Sequence, residues 1–441
     1  MSIESDLLDF VQGLKWRELP PEVRGAVMRL SADAIANAVS GRRASDVPAL
    51  EAATIDLYGL GASSIIAGGV TSLAGAVGLN AFQITVNTMC DVYRPGLCHI
   101  TPEVVPAALG IGEVHDVRGE ALLTAIAAGL EATARLCNAF NYPVFRARGW
   151  HSPGICGAMG ASVTAGLLSG LNGAALAGCF GLAGSQSGGT FAAMGTMAVK
   201  FHQLRGAQAA VIAATHARRG LVGSATVLSA PDGGLLRAYS DDPHPELLTE
   251  DLGESWHLLE VSTRPYPAAS TLQSLINVLL DADVDADVVK AVHIELPEEA
   301  YRLGGDAGWE SELRAMQSAR YVAAGVLLTR SCWTDLFDEV HRNDPVLGAF
   351  AAERVQVSRN LDLRDGAVRV ILQTDTGDRH LSSDVAQGDP RLPLTDEQLL
   401  TKARRCVAGS VLENRSFDVS RLLGLEHESS VARLMVELRT S

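Results

Sequence analysis

Two long stretches of the chain, 57–90 and 152–199, contain no acidic or basic side chain. Their apolar residues are mainly Ala, Gly and Val, interrupted by Ser, Thr, Asn and Gln, and neither stretch is flanked by a cluster of Lys and Arg. A membrane-spanning helix is typically a run of larger apolar side chains with basic flanks. We therefore expect buried helices that pack closely through small residues, and no association with a membrane.

The periodicity of the apolar residues predicts a mainly α fold with two domains. A chain of 441 residues is too long to fold around one ordinary hydrophobic core. Apolar residues recur at helical spacing up to about residue 220, and 160–185 predicts two helices joined at 171–173. Four later segments alternate or are rich in β-branched residues, which predicts strands at 291–297, 354–360, 366–374 and 378–386.

We therefore expect a large all-helical domain over 1–262 and a smaller α+β lid domain over 263–390. The segment 391–441 returns to a helical pattern and is expected to pack back on the helical domain.

Composition excludes several classes of partner and compartment. The net charge is -15 and the basic residues are scattered, so nucleic acid is not an expected partner. The seven cysteines never form a CxxC pair, which is typical of reduced, buried thiols in a cytoplasmic protein. The N-terminal residues do not resemble a signal peptide. The expected localisation is therefore cytoplasmic.

Short polar segments at the edges of the charge-free stretches are the candidate site residues. Asp91 and His99 lie in "MCDVYRPGLCHI", His151 in "RGWHSPG", and Lys200 with His202 in "VKFHQLRG". Imidazole and carboxylate groups exchange protons near neutral pH, and a lysine binds anions, so together they favour an acid/base pocket. Taken singly, each is better explained as a hydrogen-bonded core histidine or a helix-end lysine, and it is their recurrence that favours a shared pocket.

Two other chemistries are not expected. Cys90, Cys98 and His99 lack a second close pair of Cys or His ligands, so no metal site is expected. The sequence contains no GxGxxG after a strand and no GxxxxGK[ST], GxSxG or HExxH motif, so no cofactor is expected. The Gly-rich segment 184–196 predicts tight turns and close helix packing.

A rigid cationic segment follows the helical region. In "STRPYPAAS" Pro265 and Pro267 fix the backbone around Tyr266, and Arg264 offers a planar fork that suits a carboxylate. A surface turn at a domain junction is an equally good interpretation of this segment alone.

The order and spacing of these segments resemble the MmgE/PrpD family, whose members dehydrate, decarboxylate or epimerise small carboxylic acids. The resembling blocks cover essentially the whole chain. They are Asn80-Ala81, Cys90-Asp91, His99-Ile100, 149–152, 199–210, 264–267 and 318–321.

The resemblance implies a helical domain with an α+β lid, a homodimer, and a cofactor-free active site between the domains. By position, Asp91, His99, His151 and Tyr321 would be catalytic, with Lys200 as a further candidate. The residues implied to bind the substrate are Arg264, His202, Tyr266 and Gln273.

Four positions depart from the family pattern. Cys90 replaces the first aspartate of a pair, and Val199 replaces a lysine that here appears one position later, as Lys200. Because one residue turns a helix by about 100°, Lys200 would face elsewhere. Arg264 replaces a lysine and keeps the charge, but it does not act as an acid. Gln273 replaces a histidine.

The resulting expectation is a lyase that removes a proton next to a carboxylate of a small polycarboxylic acid. The leading reaction is dehydration of the 2-methylcitrate type, with His151 or His99 as base, the other histidine with Tyr321 as acid, and Asp91 orienting a histidine. Decarboxylation, or epimerisation and double-bond isomerisation, would use the same pocket. The further alternative is a non-catalytic ligand-binding or scaffold protein.

Overall fold

The protein is described by a computed structural model over residues 2–440. The chain divides into two compact units. The first unit contains 2–86, 90–262 and 396–440, and the second contains 87–89 and 263–395. The first is almost entirely helical and the second combines helices with a four-stranded sheet, so the prediction of a mainly α chain with a smaller α+β part is confirmed.

The N-terminal part of the first unit contains eleven helices and four two-residue strands within the described residues. The helices are α1 (Ile3–Gln12), α2 (Pro21–Gly41), α3 (Val47–Tyr58), α4 (Leu73–Val86), α5 (Thr101–His115), α6 (Gly119–Ala139), α7 (Tyr142–Ala147), α8 (Ala158–Leu168), α9 (Gly173–Gly184), α10 (Ala198–Ala217) and α11 (Leu235–Tyr239). The strands are β1 (Ser63–Ser64), β2 (Val70–Thr71), β3 (Val92–Tyr93) and β4 (Val261–Ser262), paired antiparallel as β1 with β2 and β3 with β4.

The helices of the charge-free stretches, α4, α8 and α9, pack inside the first unit. Helix α10 packs against α4, α5, α8 and α9, and α8 also packs against α6. Glycines allow this proximity: a Cβ on Gly160 would lie 2.5 Å from the backbone oxygen of Gly129. The prediction of buried helices packed through small residues, with a helix pair over 160–185, is confirmed.

The second unit is built around a mixed sheet. Its helices are α12 (Gln273–Asp281), α13 (Glu298–Gly304), α14 (Glu312–Gln317), α15 (Ala319–Thr329), α16 (Glu339–Arg342) and α17 (Pro345–Glu353). Its strands are β5 (Val289–Leu296), β6 (Val355–Arg359), β7 (Val368–Thr374) and β8 (Gly377–Ser383).

The strand order is β6-β5-β7-β8, with β5 and β6 parallel and the other pairs antiparallel. The four predicted strand segments coincide with these strands. Helices α12 and α15 share a hydrophobic core with β5 and β7.

The C-terminal helices belong to the first unit. They are α18 (Asp396–Val407), α19 (Val411–Asn414) and α20 (Val431–Leu438). Helix α18 is fixed to α2 by a buried ion pair in which Lys402 Nζ lies 2.6 Å from Asp33 Oδ1. Removing one partner would strand a buried charge, so this pair specifies where the segment docks.

Over residues 2–440, no helix is both long and apolar enough to cross a membrane. All seven cysteines are buried and free of disulfide bonds, as the sequence predicted.

Candidate active site

A tight hairpin in the first unit folds His99 back onto Asp91. The backbone groups of Tyr93 and Cys98 exchange two hydrogen bonds, of 2.7 and 3.1 Å. As a result His99 Nδ1 lies 2.5 Å from the backbone oxygen of Asp91. A ring nitrogen that meets a carbonyl oxygen carries the proton, so the hairpin sets the neutral tautomer of His99 and leaves Nε2 as its acceptor.

The carboxylate of Asp91 caps helix α5. It accepts hydrogen bonds from the backbone N–H groups of Ile100, at 2.8 Å, and Thr101, at 3.1 Å, and from the Thr101 hydroxyl. The sequence predicted that this carboxylate would orient a histidine, but the carboxylate engages the helix and the backbone oxygen of Asp91 holds the ring. Burial raises the pKa of Asp91 to about 6, with the neighbouring Cys90 adding to the rise and His99 opposing it.

His151 and His202 form a direct pair. Their Nδ1 atoms are 3.1 Å apart, so one ring donates to the other and the pair shares one proton between these nitrogens. His151 follows the bridge between Trp150 and Thr190, and its backbone N–H donates to Gly189. His202 lies on α10, where Gly189 packs against its ring: a Cβ there would lie 2.9 Å from Nδ1.

The environment of His151 keeps the ring neutral. Its pKa is well below 6.5 because the side chain is buried and because four cationic or basic groups, His202, His99, Lys200 and Arg146, oppose a positive charge on it. The pKa of His202 is also lowered by burial. A neutral imidazole is a proton acceptor, so this pair has the chemistry of a general base.

Two departures from the family pattern converge on one hydroxyl. Lys200 is 5% exposed, and its Nζ donates to Thr85 Oγ1 at 3.5 Å. Cys90 Sγ lies 3.8 Å from the same Thr85 oxygen. Lys200 is therefore directed inward, and it shares the Thr85 hydroxyl with Cys90.

Five of the predicted residues lie in the first unit and interact electrostatically, either with His151 or, for Asp91, with His99. They are Asp91, His99, His151, Lys200 and His202, and the link between the loops includes a hydrogen bond of 2.8 Å from Ser152 Oγ to the Gly96 carbonyl. Residues 153–157 then form a π-helical turn that leads into α8, a feature common at functional sites.

Sequence reasoning missed Glu103, which lies in the first turn of α5. The side chain is fully buried, and neither carboxyl oxygen has a hydrogen-bond partner. Burial raises its pKa well above 4.5, and the charge of Asp91 adds to the rise. Only the lack of side chains at Gly157 and Gly206 makes room for it, since a Cβ on Gly157 would lie 2.6 Å from its carboxyl carbon. These two glycines were the available signal in the sequence.

The other predicted residues lie in the second unit. Arg264 is 2% exposed and donates to the Ala268 carbonyl at 3.4 Å. Both polar atoms of the Gln273 amide bond to the same segment. The oxygen accepts from the Tyr266 N–H, and the nitrogen donates to the carbonyls of Tyr266 and Ala268. Gln273 therefore holds the segment that carries Arg264 and Tyr266.

Tyr321 lies in the hydrophobic core of the second unit. Its ring is fully buried, beside Trp309 and Phe337, and its hydroxyl donates to the Leu336 carbonyl at 2.6 Å. Burial raises the pKa of Tyr321 above the range in which proteins operate. A hydroxyl that is committed to a backbone carbonyl supports α15 in this core.

Among residues 2–440, no three His, Cys, Asp or Glu side chains are grouped so as to hold a metal ion. The described residues of the first unit supply a neutral histidine pair, a third histidine with a fixed tautomer, and a buried lysine. Such a set can take up a proton, return one and stabilise negative charge.

Two family models match the chain. The MmgE/PrpD N-terminal domain matches residues 5–248, and the MmgE/PrpD C-terminal domain matches residues 266–421. The chain is 25% identical to the cis-aconitate decarboxylase-like protein oryM of Aspergillus oryzae (strain ATCC 42149 / RIB 40), covering 98% of this chain and 96% of that protein. It is 24% identical to a cis-aconitate decarboxylase of Aspergillus terreus, covering 98% and 95%. On these matches, which span both domains, the chain belongs to the MmgE/PrpD family.

Proposed function

We propose that the protein is a lyase that transfers a proton at a carbon next to a carboxylate of a small polycarboxylic acid, without a cofactor. The observation that carries this proposal is the His151–His202 pair, neutral and 3.1 Å apart, beside the buried Lys200. An ammonium group near a carboxylate lowers the energy of the negative charge that develops on it when the neighbouring carbon loses a proton.

The tautomers follow from the pairing. If His151 donates its Nδ1 proton to His202 Nδ1, its Nε2 is the nitrogen that accepts the substrate proton. His202 Nδ1 then accepts the hydrogen bond, of 3.1 Å, that fixes this tautomer of His151. His99, whose tautomer is set by Asp91, is the candidate second acid or base.

Decarboxylation is our first candidate reaction. It is supported by the two Aspergillus relatives, which are named as a cis-aconitate decarboxylase-like protein and a cis-aconitate decarboxylase and which align over nearly the whole chain. In an unsaturated acid of this type the carboxylate leaves as CO₂ and its bonding electron pair becomes a new double bond. The far carbon of the old double bond then takes up a proton from a histidine. That histidine is protonated because the carboxylates of the bound substrate raise its pKa.

Dehydration is the second candidate, and the neutral state of His151 favours it. A neutral imidazole removes the proton next to the carboxylate, and the hydroxyl on the neighbouring carbon leaves as water after it receives a proton from a second histidine. Proton removal and return without loss of a group, as in epimerisation or isomerisation, is the first half of the same sequence.

A single NMR experiment separates these reactions. The enzyme is incubated in deuterated water with cis-aconitate, citrate, 2-methylcitrate and an iminodisuccinate-type diacid, each followed separately. CO₂ release with deuterium in the product supports decarboxylation, and an alkene formed without CO₂ supports dehydration. Failure of every acid to react or to exchange a proton would overturn the proposal in favour of a ligand-binding role.

A further inference from the structure

A cavity in the first unit lies away from His99, His151 and His202. Its volume is about 270 Å³, slightly below that of a typical small-molecule site and enough for a small ligand. One wall is apolar and the remainder carries hydroxyl and basic groups. The lining residues are Leu73, Ile111, Val114, His115, Ser169, Thr215, Arg218 and Arg219.

The cavity lies where three helices end. His115 is the last residue of α5, Ser169 follows α8, and Arg218 and Arg219 follow α10. Helix α5 begins beside Asp91 and helix α10 carries His202 near its start. At a rise of 1.5 Å per residue the cavity is about 21 Å from the start of α5 and about 24 Å from His202. It is therefore a separate site at the opposite ends of two helices that carry the histidine site.

The ionisable groups that line this cavity are all basic. Neither guanidinium forms an ion pair with a carboxylate within residues 2–440, although the chain carries a net charge of -15. Arg218 Nη1 donates to His115 Nε2 at 2.9 Å, and since arginine has no acceptor, the proton of His115 is on Nδ1 and available to donate.

Neutralising the C-terminal dipole of α10 accounts for part of this charge. It does not account for Ser169, whose Oγ atom is buried without a hydrogen-bond partner. A buried hydroxyl without a partner is costly, and a ligand oxygen would relieve that cost.

We propose that this cavity binds a small organic anion with two or more carboxylates and a short hydrocarbon body. The guanidinium forks of Arg218 and Arg219 match carboxylates in bidentate geometry, and Ser169 Oγ and His115 Nδ1 are further donors. The apolar wall of Leu73, Ile111 and Val114 contacts the hydrocarbon body, which inorganic anions lack.

The test is calorimetric titration of the whole protein with tricarballylate, a tricarboxylate that has no hydroxyl or double bond to react. We expect a binding step that weakens at least about a hundredfold in the Arg218→Ala/Arg219→Ala double variant, since each charge-assisted interaction contributes about tenfold or more. Arg404→Ala, which removes an exposed arginine on α18, is the matched control and should leave that step unchanged. Phosphate should bind at this site at least about tenfold more weakly than tricarballylate, because it cannot use the apolar wall.

Four results would overturn the proposal. The first is an unchanged titration of the double variant that keeps wild-type circular dichroism. The second is phosphate binding as tight as tricarballylate binding. The third is loss of the step in His151→Gln, which would place the ligand in the histidine site. The fourth is a changed oligomeric state of the double variant in sedimentation, which would mean that a second copy of the chain covers the cavity.

Discussion

Replacing Gly160 by alanine tests the close helix packing on which the first unit depends. Gly160 lies on α8 and faces Gly129 and Thr133 on α6. A Cβ built on Gly160 lies 2.5 Å from the Gly129 backbone oxygen and 3.0 Å from Thr133 Cβ, and nearer still to Thr133 Oγ1. The Thr133 hydroxyl already donates to the Gly129 carbonyl at 2.8 Å, so neither group has an alternative place to move.

The magnitude follows from two opposing effects. Alanine is a better helix former than glycine by about 1 kcal/mol. Overpacking a rigid core costs about 1–3 kcal/mol, and more where the contacted atom belongs to the backbone. Because one contacted atom is the carbonyl oxygen of Gly129, we expect a net loss of about 2 kcal/mol in the free energy of unfolding.

Gly25→Ala is the matched control on α2 of the same unit. The new Cβ would meet only the end of the flexible Arg29 side chain, at 3.4 Å. We expect that variant to gain about 0.5–1 kcal/mol, so the two alanine variants should differ by about 3 kcal/mol. Thr133→Ala should reduce the cost of Gly160→Ala, because it removes one of the two groups in conflict.

The assay is urea unfolding followed by far-UV circular dichroism, with the three single variants and the Thr133→Ala/Gly160→Ala double variant compared at one pH. Equal midpoints for Gly160→Ala and Gly25→Ala would refute the reasoning, because they would mean that α6 and α8 are not in backbone contact. A result of that kind would also remove the physical explanation for the charge-free stretch 152–199.

Three further outcomes are expected. Because burial and nearby basic groups hold the pKa of His151 well below 6.5, kcat/KM should keep its full value as the pH falls through 6.5 and decline only at lower pH; a decline centred at or above 6.5 would contradict a neutral buried base. The pKa of Asp91 is raised from 3.8 to about 6, so the folded state binds its proton more tightly and about 2 kcal/mol of stability is lost as the pH rises from 4 to 7. Asp91→Asn abolishes this loss, so its destabilisation, measured by urea unfolding, should be larger at pH 4 than at pH 7. Tyr321→Phe should lower the free energy of unfolding by about 1–3 kcal/mol, because the buried Leu336 carbonyl loses its donor, while kcat stays within about twofold. A large fall in kcat would mean that Tyr321 takes part in proton transfer.

Much of the fold follows from local pattern. The helices of the charge-free stretches and the strands β5 to β8 repeat the periodicity of their sequences, because each element buries one face or is buried all round. The pairs β1 with β2 and β3 with β4 contain two residues per strand, which is too short for any alternation to show. They form because turns bring distant backbone groups together, as at Val92 and Ser262.

The sequence could predict which residues belong to the candidate site, but not which contacts these residues make. The sequence separated Asp91, His99, His151, Lys200 and His202 as candidates. The role of the Asp91 carboxylate as the cap of α5, and the pairing of the two Nδ1 atoms, depend on how loops far apart in sequence fold against each other. The inward direction of Lys200 and the burial of Glu103 depend on helix rotation and on the absence of a Cβ at Gly157 and Gly206.

The most direct test of the account is deuterium incorporation by His151→Gln. The wild-type enzyme and the variant are incubated in deuterated water with the acid on which the wild type is most active, and the labelled carbon is followed by NMR. His216→Gln, which changes an exposed histidine on α10 whose ring contacts the Ile212 carbonyl, is the control.

Because general base catalysis contributes about 10²–10⁴-fold, we predict that proton transfer at carbon falls by that factor in His151→Gln and is unchanged in His216→Gln. Proton transfer at the wild-type rate in a folded His151→Gln protein would contradict the central claim that His151 takes part in proton transfer at carbon.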